Sequence, residues 1–409
     1  MNFNQETVNA GICAEKKLSK YYSLIDNISL HNQNKVLTAF QNNKVALWHF
    51  AQTTGYGYDD KGRDTLNLVF AEVFNAKSAL VSPHILSGTH AISTALFGIL
   101  RPNDHLLSIS GEPYDTLFDI INKENSGSLK DFNIGYSKVN LKNGEFDFDN
   151  IKEQILKMKP KVIFIQRSKG YSDRSSLNMK KIREVSDFVK NINKDIIIFV
   201  DNCYGEFTEK TEPLESGADL IAGSLIKNPG GGIAPNGGYI AGRKDLVELA
   251  ANRLTTPSTG SEIGSYSAGY QYFYQGLFLA PHVTAQSLKG ALFLNELMKE
   301  LNFKVSKISS KCFELINSIK FENENDLIEF CRCIQFASPV DSFATPYPWD
   351  MPGYNDKVIM AAGCFVQGSS IELSCDAPIR PPYIAYCQGG LTYEHVKLAA
   401  MYCYEKFSK

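Results

Sequence analysis

The sequence predicts an α/β fold with a mostly parallel central sheet, an N-terminal helical arm and a smaller C-terminal α+β domain. Three observations predict it. From about residue 64, helix-period segments alternate with short apolar runs, the pattern of strands joined by helical crossovers. Two of those runs, KVIFI at 161–165 and IIIFV at 196–200, are unbroken β-branched and aromatic stretches that suit parallel strands covered on both faces. Beyond residue 282 a long amphipathic segment leads into shorter, mixed elements.

In chain order, Tyr21, Tyr22, Leu24, Ile25 and Ile28, then Val36, Leu37 and Phe40, recur near the helical period and mark 1–50 as the arm. Residues 51–281 form the large domain. Its expected elements are a helix at 65–75, a strand at 78–81, a helix at 90–100 and a strand at 105–109. The strands at 161–165 and 196–200 follow, joined by a helix at 179–190, then short strands at 219–222 and 238–241. Residues 282–409 form the small domain, with a helix at 283–301 and strands at 332–337 and 370–374.

The chain has 409 residues and 45.5 kDa, which suggests roughly two or three domains, and its 44% apolar content is ample for a large core. Lys plus Arg is 42 against 44 Asp plus Glu, with no long run of one sign, so neither nucleic acid nor a membrane surface is an expected partner. The polar first twenty residues lack a secretory pattern and no apolar run approaches a membrane span, so the expected location is cytoplasmic. Nine scattered cysteines include no CxxC pair, and no metal site is expected. On a strand at 332–337, Cys331 and Cys333 would point to one face.

Two groups of residues could carry chemistry. IIIFVD delivers Asp201 to the carboxyl end of a buried strand, where open α/β sheets bind ligands. Lys227 follows 26 residues later, before Gly230, Gly231 and Gly232, an order opposite to that of a P-loop. Taken singly, Asp201 reads more simply as a turn cap and Lys227 as a solvated loop residue. In the second group, Ser87-Gly88-Thr89-His90 opens a helix after the strand SALVS, so the N–H groups of Gly88, Thr89 and His90 can hold a phosphate. A plain N-cap by Ser87 or Thr89 is the alternative, and His90 is either a base or a packed core residue. In the segment QRSKGYSDRSSL, Gln166, Arg167, Ser168 and Tyr171 either reach the same sheet edge or belong to a polar loop with Arg167 and Arg174 solvated.

Read together, GYGYDDKGRDTL, SGTHAI, GEPYDTL, QRSKGY, VDNCYGEF, GSLIKNPGGG and IRPPYIAYCQGGLT span residues 55 to about 392. The set resembles the fold-type I pyridoxal-phosphate enzymes (aspartate-aminotransferase-like), in the cysteine/methionine metabolism branch. It is most similar to the methionine γ-lyase and cystathionine β-lyase-like family linked to aluminium resistance. The resemblance implies pyridoxal 5'-phosphate held as an internal aldimine on Lys227, an amine that should have a lowered pKa. It also implies that Asp201 pairs with the pyridine nitrogen and that Tyr114 stacks on the ring and serves as acid or base. Gly88, Thr89, His90 and Ser224 would surround the phosphate, and Arg380 would clamp the substrate carboxylate. Gln166, Arg167 and Tyr56 are further substrate contacts. In better-studied lyases a Tyr-x-Arg pair from the neighbouring subunit reaches the phosphate; here Tyr58 fits the tyrosine, Asp60 stands where the arginine belongs, and Arg63 is assigned in its place. Ile226 also departs from that pattern, standing where those lyases carry a hydroxyl residue. The implied activity is a carbon–sulfur lyase that eliminates a thiol from methionine, cystathionine or cysteine to leave ammonia and a 2-oxo acid. The implied assembly is a homodimer or homotetramer with shared active sites. Another pyridoxal-phosphate reaction (aminotransferase, aldolase or decarboxylase) and a non-catalytic binding protein on the same fold remain the alternatives.

Overall fold

The structure, a computed structural model, describes residues 1–172, 174–351 and 356–408; position 173, within QRSKGYSDRSSL, lies outside them. The first sheet has seven strands: β1 (Ser78–Ser82), β2 (His105–Ser108), β3 (Gly135–Lys138), β4 (Val162–Gln166), β5 (Ile197–Asp201), β6 (Leu220–Ser224) and β7 (Gly238–Gly242). Their spatial order is β1-β7-β6-β5-β4-β2-β3. Only β7 opposes the others, pairing antiparallel with β1 and β6. Register places Gln166 beside Asp201 at the carboxyl ends of β4 and β5.

The two apolar runs fill both faces as expected. Every residue of β4 and β5 is buried. Ile163, Ile165, Ile198 and Val200 face a core shared with helices α2 (Lys61–Val73), α5 (Phe148–Met158) and α6 (Met179–Ile192). Val162, Phe164, Ile197 and Phe199 face the opposite core, formed with α3 (Gly88–Ile99), α4 (Asp115–Asn122) and α7 (Lys244–Leu254). Alternation of side chains along each strand produces this division. Polar side chains start the helices by accepting otherwise unpaired first-turn N–H groups: Asp60 takes those of Gly62 and Arg63, Ser87 that of His90, and Asn178 that of Lys181.

A second, five-stranded sheet contains β8 (Lys304–Val305), β9 (Asn317–Lys320), β10 (Val358–Ala361), β11 (Ser374–Pro378) and β12 (Ile384–Gln388) in the order β10-β11-β12-β9-β8. Two strand expectations fail here. Residues 332–337 belong to a helix, α9 (Glu324–Ala337), started by the Asn323 side chain on the Asp326 N–H. Its buried Leu327, Phe330, Cys331 and Ile334 have helical spacing, which outweighs the local β-like run. Cys331 and Cys333 therefore do not share a strand face: Cys331 meets Cys375, and Cys333 lies beside Cys403. The strand expected at 370–374 starts only at Ser374, because the Glu372 carboxylate turns inward to accept the N–H groups of Phe365 and Val366.

A single helix, α8 (Gln271–Glu300), runs through the 281/282 boundary with Pro281 inside it. Its first half packs in the large core and its second half in the core of the second sheet. The N-terminal segment is more than an arm. Helix α1 (Gln5–Asn42) buries Ala10, Ala14, Leu18 and Ile25 in the second unit and Val36 and Ala39 in the first. Helix α10 (Tyr393–Phe407) completes the second unit. Among the described residues no helix is long and apolar enough to cross a membrane.

Candidate active site

The site is built where the parallel strands end. After β1 the chain turns into α3, with the Ser87 hydroxyl capping the His90 N–H. The first N–H groups of a helix lack partners inside it, so Gly88 and Thr89 present theirs at this edge. Gly88 is required by close approach: a Cβ there would lie 2.8 Å from Cys203 Sγ and 3.4 Å from Ser224 Cβ. Ser224, at the end of β6, is 1% exposed, and its hydroxyl has no hydrogen-bond partner among the described residues. A buried hydroxyl without a partner is costly unless a ligand satisfies it.

A cleft of about 1180 Å³ opens beside this turn, with Tyr114, Gln166, Asp201 and Lys227 on its large-sheet side and Asp376 and Arg380 on its second-sheet side. Asp201 is 2% exposed and accepts the Cys203 N–H. Burial raises its carboxyl above the ordinary value, although Lys227 and the Cys203 N–H pull it back. The Tyr114 backbone N–H donates to Gln166 Oε1, and its hydroxyl lies 2.9 Å from Thr89 Oγ1. Gln166 is thus a positioning residue for Tyr114 on the cleft wall.

Lys227 Nζ lies 4.1 Å from the centroid of the Tyr204 ring, a cation–π contact. Burial disfavours its ammonium, but Cys203, Tyr204, Asp201 and Tyr114 together outweigh burial and raise the pKa. Burial in turn pushes up the Cys203 thiol and the Tyr204 and Tyr114 phenols. The expectation of a lowered amine is therefore not met. Amine, carboxylate and phenol meet in one cleft, a set able to accept, store and return protons.

Beneath the site, Glu206 is fully buried, accepts the Tyr239 hydroxyl, and is pushed by burial up to about 8 from an ordinary 4.5. Between those pH values the native state binds the proton and the unfolded chain does not, so stability falls as pH rises. Glu206→Gln should remove that slope, making the variant more stable than wild type at pH 8 by about 2–4 kcal/mol relative to their difference at pH 5. Denaturant unfolding at the two pH values reads this directly.

The other expected residues lie in different places. Arg380 lines the cleft but is half exposed and pairs with Asp356 at 2.7 Å. Arg167 is turned away from the cleft. Its guanidinium is 3% exposed and bonded to Asn202, Thr208 and Glu209, with the fully buried Glu212 at 3.6 Å. Gly205 leaves the room, since a Cβ there would sit 2.3 Å from Arg167 Nη1. Arg167→Met should cost about 3–5 kcal/mol by leaving Glu212 an unpaired buried charge, a loss measurable by chemical denaturation.

Tyr56 and Tyr58 stack loosely on each other, 5.5 Å apart and largely exposed, outside the cleft of this chain. Arg63 is buried, bonded to Gly57 O and Asp64, and braces the loop carrying those tyrosines. Asp60 stands where an arginine was expected because it caps α2 and accepts the hydroxyls of Thr53 and Tyr270. The His90 ring accepts the Leu86 N–H, a structural role, and its backbone N–H already serves Ser87.

Several cleft residues escaped assignment. Arg174 is largely buried, with its guanidinium on the carbonyls of Gln166 and Ser168, and burial lowers it to about 10. Lys169 is held by Ser306 and Glu314. Tyr204 adopts a left-handed φ of 68°, uncommon for a non-glycine residue and a mark of functional sites. Its place inside VDNCYGEF, three residues after Asp201, was the available signal. Asp376 carried none, because its partners Tyr171 and Gln388 come from distant segments.

The sequence model of the methionine gamma-lyase family matches residues 7–408. A Listeria monocytogenes protein described as a candidate cystathionine beta-lyase involved in aluminum resistance is 53% identical. The match covers 97% of this chain and 98% of that one, with a TM-score of 0.94. A Clostridium novyi carbon-sulfur lyase involved in aluminum resistance is 48% identical over 99% and 96% of the two chains, also with a TM-score of 0.94. At 15% identity, the pyridoxal-5'-phosphate dependent protein YhfS of Escherichia coli shares the fold, with a TM-score of 0.63 over 92% and 95% of the chains. The architecture is that of the fold-type I enzymes. With its match running almost end to end, the chain belongs to the methionine gamma-lyase family.

Proposed function

We propose that the protein is a pyridoxal-phosphate-dependent carbon–sulfur lyase acting on a sulfur amino acid. The observation that carries this reading is the convergence of Lys227, Asp201 and Tyr114 on one cleft beside a turn with unfilled phosphate-binding capacity. The cofactor fits on three counts. The Ser224 hydroxyl lacks a partner among the described residues, Gly88 removes the Cβ that would crowd the turn, and the α3 N-terminus favours an anion.

When bound, pyridoxal phosphate withdraws electrons from the amino-acid Cα, so that a proton and then a thiol can leave. Lys227 is the residue that would carry it covalently and hold the proton taken from Cα. Asp201 holds the ring nitrogen in its charged form. Tyr114, oriented by Gln166, covers the ring and holds a proton at its hydroxyl. Gly88, Thr89 and Ser224 receive the phosphate, and Arg380 takes the substrate carboxylate in exchange for Asp356. The exposed Tyr56 and Tyr58 are assigned to the site of a neighbouring subunit, within a homodimer or homotetramer.

The balance is one thioether amino acid plus one water giving one thiol, one 2-oxo acid and one ammonium. Measuring all three products tests the reading. Equal amounts are expected; amino-group transfer without thiol or ammonia would reject it.

A further inference from the structure

The second-sheet wall of the cleft holds a carboxylate that no described lysine or arginine pairs with. Asp376, on β11, is 7% exposed. Its Oδ2 accepts the Tyr171 hydroxyl at 2.9 Å and the Gln388 amide at 3.3 Å, while Oδ1 is buried with no partner among the described residues. No described lysine or arginine pairs with it: Arg380 is engaged with Asp356, Lys169 with Glu314, and Arg174 with backbone carbonyls. Ser374, two residues earlier and so on the same face of β11, and Ser369 also line the cleft with buried hydroxyls that have no partner among the described residues. Burial raises the Asp376 carboxyl to about 6 and its two hydrogen bonds pull it back, so it is chiefly ionised at neutral pH.

A buried carboxylate with one oxygen unfilled is expensive unless a cation completes it. The α-amino group of the substrate cannot serve, because it must reach the cofactor held at Lys227. Methionine and cysteine have no second cation to offer. We infer that Asp376 is the acceptor for a second, distal ammonium group. The favoured substrate class is then a thioether amino acid carrying two amino groups, with the Ser374 and Ser369 hydroxyl oxygens available to accept from the second one. This inference rests on the lyase reading for the identity of the reacting half and extends it to specificity.

A matched pair of compounds tests it: L-cystathionine and S-(3-carboxypropyl)-L-cysteine, which differ only by the distal amino group. With cofactor-loaded wild type, cystathionine should be preferred by at least about tenfold in kcat/KM, as expected for loss of a charge-assisted hydrogen bond. The same preference should appear in visible-spectrum binding titrations. In Asp376→Asn the ratio between the two compounds should fall to about 1 in both readouts. Equal handling of the pair by wild type would overturn the inference even if the variant failed to fold, and so would an unchanged ratio in Asp376→Asn. If neither compound released a thiol, the lyase reading would fail, while the titrations would still report whether Asp376 selects the second ammonium.

Discussion

Lys227→Ala should lower turnover by on the order of 10⁴-fold while leaving the fold intact. Lys227 follows β6 in a turn held by the bonds from its own N–H to Ser224 O and from the Gly230 N–H to its carbonyl, neither of which involves the side chain. The ammonium itself rests on the Tyr204 ring beside Asp201. Removing it takes away both the covalent anchor and the base assigned to the Cα proton. Of the other lysines lining the cleft, Lys169 is tied to Ser306 and Glu314, and Lys181 to Glu145 and the Gly144 carbonyl. Steady-state kinetics together with circular dichroism separates this outcome from unfolding.

Asp201→Asn should have the second-largest effect, a loss of on the order of 10²–10³-fold in kcat, comparable with removal of one preorganised electrostatic contact. The neutral amide can still accept the Cys203 N–H, so the β5 end should keep its shape. It cannot hold a ring nitrogen in its charged form, so electron withdrawal from Cα weakens. The defect should appear in kcat more than in KM, because the ring nitrogen matters most once Cα becomes electron-rich. A change confined to KM would assign Asp201 to substrate binding instead.

The parts of this molecule visible in the sequence are those governed by local spacing. KVIFI and IIIFVD announce strands buried on both faces, and ending such a strand with Asp201 places an acid at the ligand-binding edge. Ser87-Gly88-Thr89 announces a helix start in the same way. What stayed hidden depends on partners far along the chain. Arg167 was expected in the cleft and faces away, because Glu209 and Glu212, some 42 and 45 residues later, form the cage that captures it. Arg174, solvated on the polar-loop alternative, is largely buried on carbonyls of its own loop. The run RCIQFA at 332–337 resembles a strand until the Asn323 cap and the buried stripe from Leu327 to Ile334 are seen with it. The amphipathic pattern from residue 283 marks only part of α8, which starts at Gln271 and carries Pro281 within it.

The most direct test of the account is the chemical address of the cofactor. Borohydride reduction of the purified, cofactor-loaded protein, followed by proteolysis and mass spectrometry, should place one pyridoxyl group per chain on the peptide containing Lys227. The same treatment of Lys227→Ala should place none. Attachment to Lys169 or another lysine, or no covalent attachment in the wild type, would contradict the central claim.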